Sequence, residues 1–153
     1  MSMKIEIQNV SGFDSLPKDE FIIKWAEQAL DEKHKEAEIT LRIVEEEEGQ
    51  TLNKEWRGKD SATNVLSFPV GEVIEQAPNL LGDIVICAPI VELEAKQQRK
   101  NSEAHWAHLI IHGILHLQGY DHISDEDANV METKEVNILK NIGFANPYET
   151  ESE

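Results

Sequence analysis

Apolar residues recur along this 153-residue chain with two periods, one near two residues and one near three and a half. Residues 4–10 set Ile5, Ile7 and Val10 against polar neighbours, a strand pattern. Phe21, Ile22, Trp25, Ala29 and Leu30 then recur at helical spacing, with Asp14 or Ser15 as the cap and Pro17 in the first turn. Residues 37–44 alternate again through Ile39, Leu41 and Ile43, so a strand, a helix and a strand form a βαβ unit, right-handed if its strands are parallel. The acid run at 45–48 reads as solvated loop and helix start, and residues 51–56 as a short helix. Residues 57–61 read as a turn-forming loop.

A third strand covers residues 63–70, closed by Pro69 and Gly71, and a fourth covers 81–88 after a short connection. So short a link favours antiparallel pairing and hence a mixed sheet. Pro89 opens a helix reaching about residue 100, and Asn101 and Ser102 cap the next, which runs to Gln118. Ser124 caps a last helix, with Asp127 in the capping-box position and Gly143 at its end. About 147–153 reads as a frayed acidic tail. The expectation is one domain over 1–153, an α/β fold of the α+β type with a mixed four-stranded sheet and about five helices.

Thirty acids against fourteen bases give a formal charge of −16, which alone argues against non-specific nucleic-acid binding. Screening limits each charge to roughly 8 Å at physiological salt, so local clusters decide more than the total. Bases gather at Lys54, Arg57 and Lys59, and again at Lys96, Arg99 and Lys100. No stretch of about 18 apolar residues suits a membrane span, and the N-terminus lacks a signal peptide's apolar run. The single cysteine, Cys87, lies in an apolar run and reads as a buried thiol in a reducing cytosol.

The chemistry concentrates at residues 112–122, which read H-x-x-x-H-x-x-G-x-x-H. His112 and His116 are four apart and share one helix face; Gly119 allows a turn that brings His122 back to them. Three imidazoles with a fourth position open describe a catalytic zinc site. At about 100° per residue, His105, His108, His112 and His116 fall within roughly an 80° arc. His108 is an alternative ligand, and His105 and His108 otherwise read as supporting or packing residues. The spacing matches the zinc-protease helix, but Gly113 stands where a protease needs its glutamate base. Zinc lowers its water's pKa to about 7, so hydrolysis does not need that glutamate. Arg57 is the candidate for stabilising developing negative charge, since a guanidinium matches phosphate oxygens bidentately, and Lys59 stands beside it. A surface ion pair is the competing reading of Arg57.

Three segments together resemble the YbeY family: Leu52-Asn53-x-x-Trp56-Arg57-Gly58-Lys59-Asp60-Ser61-Ala62-Thr63-Asn64-Val65-Leu66-Ser67-Phe68-Pro69, Leu81-Gly82-Asp83-Ile84-Val85-Ile86-Cys87, and His112-Gly113-x-Leu115-His116-Leu117-x-Gly119-Tyr120-Asp121-His122. The resemblance implies a bacterial metal-dependent endoribonuclease, with a mixed four-stranded sheet, that matures ribosomal RNA, particularly the 3′ end of 16S rRNA, and serves ribosome quality control. It implies His112, His116 and His122 as metal ligands, Arg57 as the arginine important for activity, and Asp83 as a recurrent acid with a metal-supporting, base or turn role. Asn64 stands where many members carry aspartate and receives no catalytic role. The expected ion is Zn2+, although Ni2+ or another divalent ion suits three imidazoles too. The expected partners are RNA, the small ribosomal subunit and a ribosomal protein. The alternatives are a zinc-containing assembly factor without catalysis and, disfavoured by Gly113, a peptidase.

Overall fold

The computed structural model describes residues 3–13, 16–59, 63–70, 75–121 and 123–148. Four strands, β1 (Lys4–Asn9), β2 (Glu38–Val44), β3 (Val65–Pro69) and β4 (Leu80–Cys87), form one sheet in the order β1-β2-β4-β3. β1 and β4 flank β2 in parallel, and β3 pairs antiparallel with β4, so the expected mixed sheet is present. Five α-helices surround it: α1 (Asp19–Ala29), α2 (Glu46–Arg57), α3 (Ala88–Gln97), α4 (Ser102–Leu117) and α5 (Asp125–Asn141).

The period-two pattern decides which residues meet which helices. Ile39, Leu41, Ile43, Ile84 and Ile86 turn to one face and join the core with α1, α4 and α5. α4 is buried nearly all round, through Trp106, Ile110, Ile111, Ile114 and Leu115, and is the helix on which α1, α3 and α5 pack. Asn101 caps it by accepting from the Ala104 amide at 3.2 Å, as its sequence predicts. The opposite sheet face is apolar only toward its β4 side, where Val44, Leu66, Val85 and Cys87 pack with Leu52 of α2 and Ile90 of α3. Toward β1 the same face is polar, and Arg42 there is gripped by Glu48 of α2, its Nε 2.5 Å from Oε2.

Three boundaries differ from the sequence reading. α1 starts at Asp19, its N-cap Lys18 makes no side-chain cap bond, and Asp14 and Ser15 lie outside the described residues. Asp19 and Glu20 occupy that first turn and complement the helix dipole. α2 begins at Glu46, so the acid run supplies its cap position and first turn and the helix is longer than residues 51–56, and Gly58 closes it in the left-handed region at φ 73°. Arg57 is therefore the last residue of a helix, not part of a loop. At the other end of the chain, Pro147 and Tyr148 are held: the Pro147 carbonyl accepts from Lys100 Nζ at 3.1 Å, and the Tyr148 hydroxyl bonds Glu135. Glu149 to Glu153 lie outside the described residues.

β4 carries one irregularity that sets the site. Glu38 pairs with Leu80 and Ile39 with Gly82, so Leu81 is an extra, bulged residue. Gly82 sits at φ 147°, and a Cβ there would fall on the Phe68 carbonyl oxygen and within 2.9 Å of Leu117 Cδ2. The missing side chain lets the C-terminal end of α4 lie directly on the β3–β4 pair. Gly82→Ala is expected to cost about 2–4 kcal/mol of unfolding free energy, from backbone strain and overpacking together. Urea denaturation of both proteins measures this; a loss below about 0.5 kcal/mol would show that the bulge opens freely.

Candidate metal centre

The histidines of α4 divide by what their rings touch. His105 is buried at the N-terminal end, with Nε2 3.0 Å from Glu94 Oε1, an oxygen that also accepts from Asn64 Nδ2 at 3.0 Å. Burial pushes the His105 pKa down, partly opposed by Glu94. His105 thus ties α4 to α3 and to the segment entering β3. One turn on, His108 Nε2 lies 2.7 Å from Glu135 Oε1, and His112 Nδ1 lies 2.8 Å from Glu135 Oε2. The Tyr148 hydroxyl also donates to Glu135.

Glu135 is the hub of this cluster. It is fully buried on α5, where burial opposes its charge. Hydrogen bonds from His108 and His112 outweigh that burial and bring its carboxyl down to about 2. An ionised carboxylate only accepts hydrogen bonds, so the protons lie on His108 Nε2 and His112 Nδ1. In neutral His112 the lone pair is then on Nε2. His116 Nε2 stands 3.1 Å from that atom, its ring edge-on at 80°. Two lone pairs do not face each other at that distance without a proton or a cation between them. Tetrahedral zinc, with Zn–N near 2.0–2.1 Å, holds two of its nitrogens about 3.3 Å apart, so the pair fits such an ion closely.

A second donor set overlaps the first. His108, His112 and Glu135 each offer one atom, all within 4.8 Å of one another, and this group could also hold a divalent ion. It counts the carboxylate as a ligand, whereas the His112–His116 pair uses Nε2 atoms and leaves the carboxylate as orienting partner. Carboxylate–imidazole pairs of the latter kind commonly stand behind metal-ligating histidines. His122, the third ligand expected from the sequence, lies outside the described residues.

The turn that follows α4 is pinned independently. The Gln118 side chain accepts from the Asp31 amide at 2.7 Å and donates to the Ala29 carbonyl at 2.7 Å. Gly119 turns at φ 100°, and the Tyr120 hydroxyl then donates to Asp31 Oδ2 at 3.0 Å, while Lys134 Nζ meets Oδ1 at 2.9 Å. Burial opposes the charge of Asp31, yet these two bonds outweigh it and hold the carboxyl below its ordinary range. Beside this turn opens a cavity of about 810 Å³, walled by His116, Leu117, Leu81, Val70 and the Lys33–Lys35 segment.

The remaining predicted residues stand elsewhere. Arg57 and Lys59 are exposed at and just past the end of α2. Asp83 is exposed on β4, on the face shared by Val85 and Cys87, whereas α4 lies on the other face. Among the described residues no hydrogen bond or ion pair joins these three to a histidine. The two faces nevertheless meet at one end of β3. There the Phe68 ring packs edge-on to Trp56, the neighbour of Arg57, at 5.8 Å, and Phe68 itself borders Gly82 and Leu117. α2, through Trp56, and α4, through Leu117, therefore reach the same end of the β3–β4 pair from opposite sides.

Glu135 was not among the residues singled out by sequence. Its signal was available: Met131, Glu135 and Leu139 share one buried stripe of α5, and an acid in such a stripe needs a buried partner. Gln118 and Tyr148 carried no comparable mark.

Comparison with known proteins gives the family and a related fold. The family model described as Endoribonuclease YbeY matches residues 6–143. A curated relative from Methylococcus capsulatus, named Endoribonuclease YbeY, is 57% identical over 125 residues, covering 81% of each chain. The solution structure of a Thermotoga maritima protein aligns with a TM-score of 0.56 at 26% identity, covering 95% of this chain and 99% of that one.

Glu135→Gln is expected to weaken zinc affinity about 10- to 100-fold, read by competition with a chromogenic chelator. Unchanged affinity would remove the carboxylate from the centre. For His105 the sign is set by its depressed pKa: the fold favours neutral imidazole. Its contribution is present above about pH 6.5 and is lost as pH falls from there through the lower folded value. His105→Gln is expected to flatten that part of the stability profile of the metal-free chain, measured by urea unfolding across pH.

Proposed function

The chain belongs to the endoribonuclease YbeY family, and from that premise we propose that it is a zinc-dependent endoribonuclease. Its substrate is single-stranded ribosomal RNA, and its task is maturation of the 16S rRNA 3′ end together with ribosome quality control in the cytoplasm. In this reading His112, His116 and His122 hold the ion, and Ni2+ or another divalent ion can replace zinc in vitro. The observation that carries it is the pair of Nε2 atoms 3.1 Å apart, one with its lone pair set by Glu135. When bound, the ion supplies a Lewis acid and a water of lowered pKa.

The chain's own residues supply the rest. Glu135 orients His112, and Gln118 and Tyr120 fix the turn that leads to His122. Gly113 offers no carboxylate, and its place is set by packing, since a Cβ there would meet Ile84 side-chain carbons at 3.2 Å and Ser67 Oγ at 3.4 Å. A protease-type base at this position is therefore absent by residue type and by space. Arg57 is exposed at the end of α2, and its guanidinium suits the charge that develops on a phosphodiester. Lys59 adds a second cation to the strand's path. Asp83 is assigned to substrate contact on that same face, where it is the register partner of Phe68. No described helix is long and apolar enough to cross a membrane.

An assembly factor without catalysis would use the same fold, with the small subunit or a ribosomal protein as its partner. Cleavage by the purified chain separates the two. Chelation is expected to abolish RNA cleavage and zinc to restore it; His116→Ala loses metal and activity together. Arg57→Ala retains the metal and loses about 100-fold or more in rate, the scale of one charge-stabilising donor. Cleavage by Arg57→Ala at the wild-type rate would remove the arginine from the mechanism.

A further inference from the structure

Resting on the reading of this chain as a ribonuclease, we infer that Trp56 is a platform on which one base of the RNA strand stacks beside the scissile phosphate. The chain has three tryptophans. Trp25 and Trp106 are 2% and 0% exposed and belong to the core, whereas Trp56 is 67% exposed. Burial does not account for an indole in that position. It is nevertheless held, because its ring packs edge-on to Phe68 at 5.8 Å and 73°. Phe68 lies on β3 within the apolar cluster beneath α2, so the support is part of the sheet. A rigid, exposed aromatic face loses little freedom when a planar ligand covers it.

The surroundings choose the ligand. Lys54, Arg57 and Lys59 stand within three residues of Trp56; Glu55 lies within the same span, Asp60 follows it in the sequence, and Asp83 is the register partner of Phe68. This is a cationic segment on a chain of charge −16, where distant acids are screened. Aromatic faces set among cations are how single strands are bound without base readout, each stacked base contributing strongly and each base type being accepted. A protein partner would also cover an exposed indole, but the cations favour a polyanion. Position completes the case. β3 is the edge strand of the sheet, and its Phe68–Pro69 end carries Trp56 and Arg57 on one side and Leu117, next to His116, on the other. A strand stacked on Trp56 passes Arg57, crosses the edge strand and reaches the cavity that His116 lines.

Intrinsic tryptophan fluorescence tests this directly, since Trp56 is the exposed indole and the other two are shielded. Titrating the full chain with a short single-stranded oligoadenylate is expected to quench its emission. Trp56→Ala is expected to abolish the quench and raise Kd roughly five- to a hundredfold. Trp56→Phe keeps a ring and recovers most of the affinity. An abasic strand of the same length is expected to bind wild type and Trp56→Ala equally, because it leaves nothing to stack. In cleavage the Ala variant raises KM more than it lowers kcat. Equal oligoadenylate affinity for wild type and Trp56→Ala, both folded by circular dichroism, overturns the inference and leaves Trp56 to a protein partner. Wild type that binds with a quench but never cuts RNA overturns the nuclease reading and leaves the stacking site standing.

Discussion

A single buried carboxylate holds this molecule's chemistry together. Glu135 has no exposure, and a charge so placed persists only if it is paired and hydrogen-bonded. Its partners come from three parts of the chain: two turns of α4, through His108 and His112, and the segment after α5, through Tyr148. One oxygen sets the tautomer of His112, and that tautomer decides which nitrogen can meet an ion. The neighbouring residue, Lys134, reaches Asp31, which Tyr120 also grips. Two adjacent side chains of α5 thus fix both the histidine face of α4 and the turn beyond its end.

The sheet supplies the second constraint. Because β3 is an edge strand and Gly82 has no side chain, α4 ends directly on the β3–β4 pair, with His116 one residue from the contact. α2 ends at the same place on the other face, where Trp56 meets Phe68. A histidine-bearing helix and a cation-bearing helix lie on opposite faces, yet both end beside the edge strand β3. That arrangement suits a thin, flexible, anionic substrate better than a globular one.

Most of the fold was legible in the sequence because its signals are local. Alternation marked β2 through Ile39, Leu41 and Ile43, and Asn101 and Ser124 marked two helix starts that the caps bear out. The start of α1 and the length of α2 were misread, since clustered acids can begin a helix without a capping side chain. The histidine spacing was legible for the same reason as the strands: a helix puts i and i+4 together, and His112 and His116 do meet. Glu135 was missed: the Met131–Leu139 stripe hints at its burial, but its partners lie on another helix far away in sequence. The convergence of α2 and α4 at β3 was equally invisible, as it depends on which sheet face each helix covers.

The position of the bound ion tests the account most directly. Crystals of the zinc-loaded chain, with anomalous scattering recorded at the zinc edge, locate it without reference to activity. The peak is expected about 2.0–2.1 Å from Nε2 of both His112 and His116, with Glu135 still on His112 Nδ1. A peak bound instead by the Glu135 carboxylate and His108 would contradict the account, because the carboxylate would then be a ligand rather than the group that orients one.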